Sequence, residues 1–156
     1  MVKFYILEAK MRIIVVAFAV LALVTSAAIA GERAEVQKSA FTSRLLMEQV
    51  VAGHLSDLNG RYKLRLTETV YEPGGWIGVH HHAGPGLRYV ESGELTYVQA
   101  GRSVVYKAGD CFYETGAIQH TARNGGKTPV RLLNFELLPA VWKGSSAFPV
   151  PDSIGH

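Results

Sequence analysis

From residue 61 to residue 138 short runs of alternating apolar and polar residues are separated by turn signals, and no helix-length periodic run interrupts them. RYKLRLTETVY (61–71) places Tyr62, Leu64 and Leu66 two apart, the spacing of one strand face. Glu72-Pro73-Gly74-Gly75 reads as a turn and WIGVHHH (76–82) as a short strand. Ala83-Gly84-Pro85-Gly86 turns into LRYVE, Ser92-Gly93 into ELTYVQA, Ala100-Gly101 into SVVYK and Ala108-Gly109-Asp110 into CFYE. Thr115-Gly116-Ala117 breaks that strand, His120 begins another, and Asn124-Gly125-Gly126 leads to TPVRLLNFELL (128–138). Many short strands at close spacing predict an all-β sandwich or barrel. A parallel α/β sheet is excluded, because its crossovers need helices.

Outside this region the pattern is weaker. Residues 41–52, FTSRLLMEQVVA, fit a helix through apolar positions 45, 46, 47, 50 and 51, and fit a docking strand as well. Residues 13–24, IIVVAFAVLALV, are an unbroken apolar run preceded by Lys3, Lys10 and Arg12 and followed by Ala28-Ile29-Ala30. Basic n-region, short apolar core and small-residue site together describe a secretory signal peptide, with Met11 an alternative start. The expected organisation is a signal peptide over 1–30, a lead-in over 31–60, a barrel over 61–140 and an irregular tail over 141–156 that carries Pro149 and Pro151. The product is expected to be periplasmic or secreted, and to touch a membrane only if the signal segment stays uncleaved.

Charge and cysteine content narrow the classes further. Removing residues 1–30 takes Lys+Arg from 16 to 13 and Asp+Glu from 13 to 12, so the formal charge falls from +3 to +1. The remaining domain has no basic stripe, which argues against a nucleic-acid partner. Cys111 is the one cysteine, so no internal disulfide forms. An exported domain of this kind is held by its core, a metal or a partner subunit. No P-loop, dinucleotide fingerprint, serine-hydrolase elbow or CxxC occurs.

The chemistry concentrates in the histidines. On a strand His80 and His82 share one face and His81 takes the other. Two imidazoles at i, i+2 on a buried face can converge on one metal. His120 lies in a separate strand just after a turn, whereas His54 falls in a poorly defined segment and His156 is terminal.

The spacing resembles the cupin family, whose two motifs are G-x5-H-x-H-x3,4-E-x6-G and G-x5-P-x-G-x2-H-x3-N. The first lies on Gly74, His80, His82, Gly86 and Gly93; the second on Gly109, Thr115, Ala117, His120 and Asn124. The match covers residues 61–138 and departs from the pattern at Gly86, Thr115 and Ala117. The resemblance is to small single-domain (type 2) cupins. It implies a double-stranded β-helix, or jelly-roll barrel, with His80, His82 and His120 as ligands to one divalent transition metal (Fe, Mn, Zn or Ni). His81 is expected to be exposed or at an interface.

Gly86 stands where the motif has its acid. Glu114, in CFYETG, is the candidate to replace it as fourth ligand, as support to a histidine, or as a free acid/base; a solvent-facing strand glutamate is the alternative. Arg88 shares strand parity with Gly86 and Val90 and is a candidate ligand-binding residue. It faces the cavity and pairs with Glu114 or an anionic small molecule, or a bulge at Gly86 turns it outward. Tyr89, Tyr97, Phe112, Tyr113 and Phe135 are expected in the core, and Cys111 as a small buried hydrophobe. Two functions remain. One is an enzyme on a small organic acid or phenolic compound (dioxygenase-, isomerase- or cyclase-like). The other is a non-catalytic periplasmic module that binds or senses a small ligand. The resemblance implies a homodimer, with residues 41–52 as an exchanged or edge-covering strand.

Overall fold

The computed structural model describes residues 35–150; the expected signal peptide lies outside them. Nine strands follow in order: β1 (Lys38–Val50), β2 (Tyr62–His82), β3 (Gly86–Ser92), β4 (Glu94–Gln99), β5 (Arg102–Lys107), β6 (Cys111–Glu114), β7 (His120–Arg123), β8 (Val130–Pro139) and β9 (Ala147–Pro149). There is no helix among the described residues. The hydrogen-bonded order is β5-β4-β7-β2-β8-β3-β6, with β1 and β9 each added to β2, and every pairing is antiparallel. The result is a nearly closed antiparallel barrel, in line with the all-β architecture the turn spacing predicts and the jelly roll the resemblance implies.

Residues 41–52 are strand for most of their length, since β1 runs along β2 from Lys38 opposite Ile77 to Val50 opposite Lys63. The tail is not wholly irregular: β9 pairs with His80, His81 and His82. The expected turn at 72–75 lies inside β2 as a corner. Before it β2 pairs with β8; after it, with β7 and β9. The register with β1 jumps at the same place, from Phe41 opposite Tyr71 to Ser39 opposite Trp76. Gly75 sits at this corner because a Cβ there would collide with the carbonyl oxygens of Ala40 and Glu72.

Cross-strand register sorts the barrel interior into rows. One row runs Glu114 (β6), Gly86 (β3), Glu136 (β8), Arg65 (β2), Glu48 (β1). The next holds Phe112, Arg88, Asn134 and Thr67, and the one after that Val90, Leu132 and Thr69. The interior therefore grades from charged at one end to apolar at the other. Val90, Leu95, Val130 and Leu132 form the buried apolar end with Tyr71 and Ile77.

The alternation is inverted at the charged end. Lys63 and Arg65 point inward and are buried, while Leu64 on the same strand is 59% exposed. Tyr89, Tyr113 and Phe135 are accordingly outside, contrary to the expected core, and Cys111 is exposed rather than buried. Their parity is opposite to that of Arg88, Glu114 and Glu136, which hold the inward positions. Of the five aromatic residues expected in the core, Tyr97 and Phe112 are buried.

Gly75→Ala is expected to destabilise the protein by about 1–3 kcal/mol through overpacking against fixed backbone. Gly125→Ala, where an added Cβ meets nothing within 4 Å, leaves the urea midpoint nearly unchanged. Equal midpoints for the two variants would contradict the corner as described.

Candidate metal centre

His80 and His82 stand on β2 beyond its corner, and His120 opens β7. Ile77 and His80 both face inward despite their odd spacing, because the β2–β7 register shifts between them. That irregularity brings His80 opposite His120. The ring centroids of His80 and His120 are 4.2 Å apart, those of His80 and His82 4.9 Å, and those of His82 and His120 5.2 Å. One ligand atom from each histidine lies within 4.8 Å of the others, close enough to hold one metal ion.

The protons on these rings follow from their neighbours. Nδ1 of His80 lies 2.8 Å from the Gly78 carbonyl oxygen, and Nδ1 of His120 lies 3.1 Å from that of Ile118. A carbonyl only accepts, so each Nδ1 donates and each Nε2 keeps a bare lone pair. His82 Nδ1 faces Glu136 Oε1 at 3.3 Å and Ser146 Oγ at 3.3 Å, and the Ser146 hydroxyl donates to that same carboxylate at 2.6 Å. His82 Nδ1 is thus a donor as well.

Glu114 comes from β6 and is buried. Its Oε1 lies 3.2 Å from His120 Nε2 and its Oε2 3.3 Å from His82 Nε2. With ligand bonds of about 2.0–2.1 Å, neighbouring donors around one ion stand about 3.0–3.4 Å apart. Bare nitrogens facing carboxylate oxygens at this spacing repel unless a cation or proton lies between them, so the donor set fits a metal. The Tyr97 ring stacks on His120 at 4.9 Å.

Gly86 lies opposite both Glu114 and Glu136 in the register. A Cβ at Gly86 would strike the Arg88 guanidinium and the Phe135 carbonyl oxygen. The space of the motif acid is therefore filled by Arg88, with a glutamate on the strand to either side. Arg88 is 2% exposed, so it faces the cavity and no bulge turns it out. Its Nη2 is 2.6 Å from Glu114 Oε2, off the direction of a hydrogen bond, and 3.2 Å from Glu136 Oε1. Arg88 Nη1 and Glu114 Oε2 have no hydrogen-bond partner.

Glu136 is the site residue that sequence reading missed. Its parity with Leu132 and Asn134 on β8 was the available signal, hidden because FELL reads as core. His81 is half-buried, with its ring 5.3 Å from that of Phe148, and His54 lies outside the cluster. Asn124, the last motif position, is a staple. Its amide donates to the carbonyls of Tyr71 and Thr128 and accepts from the Gly126 N–H.

Residues 67–136 match the family model described as the cupin domain (Cupin_2). The barrel has the cupin fold. No curated protein matches the chain. Among solved structures, the polyketide cyclase RemF from Streptomyces resistomycificus is 21% identical, with a TM-score of 0.54, covering 80% of this chain and 80% of its own. A cupin-2 domain from Rhodospirillum rubrum is 13% identical at a TM-score of 0.53, covering 73% and 68%. The Cupin_2 domain of an XRE family transcriptional regulator from Enterobacter cloacae is 18% identical at 0.50, covering 64% and 97%. These likenesses establish the fold alone.

The electrostatics of the cluster favour the neutral imidazole at His80 and His120. Burial, reinforced by the neighbouring His120 and His82, pushes the His80 imidazolium down to about 3. Burial lowers His120 too, although Glu114 opposes it. For Glu136, burial acts upward but is outweighed by the bond from His82 and the charge of Arg88, which bring the carboxyl down to about 2. Burial and the Glu114 charge raise Tyr97, which stays protonated.

Stability of the metal-free protein should therefore fall on acidification. Between pH 6.5 and about 3 the unfolded chain protonates His80 and the folded chain does not. Glu136 adds a loss between pH 4.5 and about 2. Each such proton contributes a slope approaching about 1.4 kcal/mol per pH unit. Urea titrations in the presence of a chelator at pH 7, 6, 5 and 4 check this; equal stability at pH 7 and pH 4 would contradict it.

Proposed function

We propose that this protein is an exported metal-dependent cupin enzyme that holds one divalent transition ion (Fe, Mn, Zn or Ni) and acts on a small phenolic compound or organic acid. The observation that carries the reading is the convergence of bare Nε2 atoms from His80, His82 and His120 on the Glu114 carboxylate, with each Nδ1 proton already given to another acceptor. In this reading the three histidines and Glu114 are the ligands, and Glu114 supplies the carboxylate that Gly86 lacks.

The cavity holding these residues has a volume of about 850 Å³, within the range of small-molecule sites. Tyr97, Phe112, Leu95 and Ile77 give it an apolar wall suited to an aromatic ring. The bound ion would supply Lewis acidity, or oxygen activation if it is iron or manganese. The unpartnered Nη1 is the group through which Arg88 would donate to a ligand oxygen. Tyr97 stacks on the His120 ring and supports its orientation. Glu136 fixes the His82 ring through Nδ1.

With both carboxylate oxygens of Glu114 facing histidines, the reading favours dioxygenase-, isomerase- or cyclase-like chemistry at the ion over proton transfer by a free glutamate. The same enclosure of Glu114 supports a second reading, a non-catalytic periplasmic cupin that binds or senses a small ligand. A colour change on iron loading that shifts with added catechol favours the enzyme.

A homodimer belongs to the proposal. Met47, Leu66, Phe135, Leu87 and Tyr113 form one apolar row across the outer face of β1, β2, β8, β3 and β6. Such a row is a poor surface to leave in water.

Elemental analysis of the purified protein should show one transition ion per chain, lost in His82→Ala and depleted in Glu114→Gln. A wild-type protein that stays metal-free after reconstitution with Fe, Mn, Zn and Ni would reject the metalloenzyme. Light scattering should return a dimer for the unsubstituted protein and a monomer for Phe135→Glu; a monomeric unsubstituted protein would reject the dimer.

A further inference from the structure

The charged row continues away from the metal centre to two buried cations with no place in the reading above. Lys63 and Arg65 face the cavity from β2, with side chains 7% and 8% exposed. Both are bonded to one carboxylate, Glu48 on β1, which is 28% exposed. Their other acceptors are neutral. Lys63 Nζ donates to the Trp142 carbonyl at 2.6 Å, and Arg65 Nη1 to the Gly144 carbonyl at 2.8 Å. Both carbonyls belong to residues 140–146, the strap between β8 and β9.

The charges at the two ends of the row are unequal. Arg88 stands between two glutamates that more than offset its charge. Lys63 and Arg65 share one glutamate, so that end carries the excess of positive charge. A carboxylate sets a full negative charge against these cations, an attraction that a neutral carbonyl does not supply. A ligand carboxylate is therefore a better partner for these cations than the strap carbonyls. The strap can give the carbonyls up to water, since residues 143–145 are exposed and Val141 is 86% exposed.

We propose that Lys63 and Arg65 form a carboxylate-binding subsite, which the strap carbonyls of Trp142 and Gly144 occupy until an anionic ligand displaces them. The subsite shares the cavity of the histidine cluster, and Arg65 pairs across the strands with Glu136, which touches His82. Its ligand thus has a carboxylate at the strap end and a second group reaching toward the histidines. That last clause rests on the proposed metal function; the subsite itself does not.

The test measures benzoate and its neutral analogue benzamide by calorimetry, on the purified full-length protein as isolated and again after chelation. Hydrogen exchange of residues 140–146 is followed in parallel. Benzoate should bind with and without metal, benzamide about tenfold or more weakly, and strap exchange should rise on benzoate binding. Arg65→Gln should weaken benzoate about tenfold, and Glu48→Gln, which removes the competing carboxylate, should tighten it. Unchanged benzoate affinity in a cooperatively folded Arg65→Gln overturns the proposal, as does affinity lost in Arg88→Gln but not in Arg65→Gln. If Arg65→Gln does not fold, Glu48→Gln decides: no tightening, or no benzoate binding at all, overturns it. Metal analysis fails or succeeds independently of these outcomes.

Discussion

Arg88, buried between Glu114 and Glu136, is the constraint on which the charged end of the barrel rests. Two carboxylates on strands flanking β3 would repel across Gly86 if nothing lay between them. The guanidinium occupies that gap, and Gly86 is a glycine because the guanidinium needs the room. Removing one member of such a buried group leaves an uncompensated charge, at about 3–5 kcal/mol. With Arg88 in place, Glu114 can face His82 and His120, and Glu136 can hold the far side of His82 and anchor Ser146. One residue on the middle strand thus orients groups from β6, β8, β2 and the segment entering β9.

The inverted alternation follows from the same constraint. A barrel of this size has few inward positions in each row, and here those positions carry charge. The apolar residues of β2, β3, β6 and β8 that would otherwise make a core are turned outward as a continuous surface. The true core is displaced to the other end, around Val90, Leu132 and Val130. The apolar core therefore lies at one end of the barrel and the buried charged groups at the other.

How legible this was in the sequence depended on distance along the chain. The turn signals and period-2 runs gave the all-β barrel, because both are local. Spacing also separated His80 and His82 from His81, since a strand alternates strictly within two residues. The same rule misplaced Tyr89, Tyr113 and Phe135, because hydrophobicity does not say which face of a barrel strand is the inside. Gly86, Glu114 and Glu136 are far apart in sequence and meet only through the register of β6, β3 and β8. Glu136 was missed for that reason. Glu114 was found through family likeness rather than from its own surroundings. Residues 41–52 stayed undecided between helix and strand until the exposed edge of β2 was known. The corner at Gly75 read as a chain break because proline and glycines mark a change of direction without saying whether pairing resumes beyond it.

Two of the three histidines take their orientation from the adjoining backbone, His80 from the carbonyl of Gly78 and His120 from that of Ile118, each two residues earlier. The aim of these rings is encoded locally and does not depend on the cavity walls. Phe112, Leu95 or the strap can then vary, and with them what the barrel accepts, while these two bonds stay in place. A cluster wired in this way is heritable as a short peptide module, and its geometry can outlast many changes in the cavity around it.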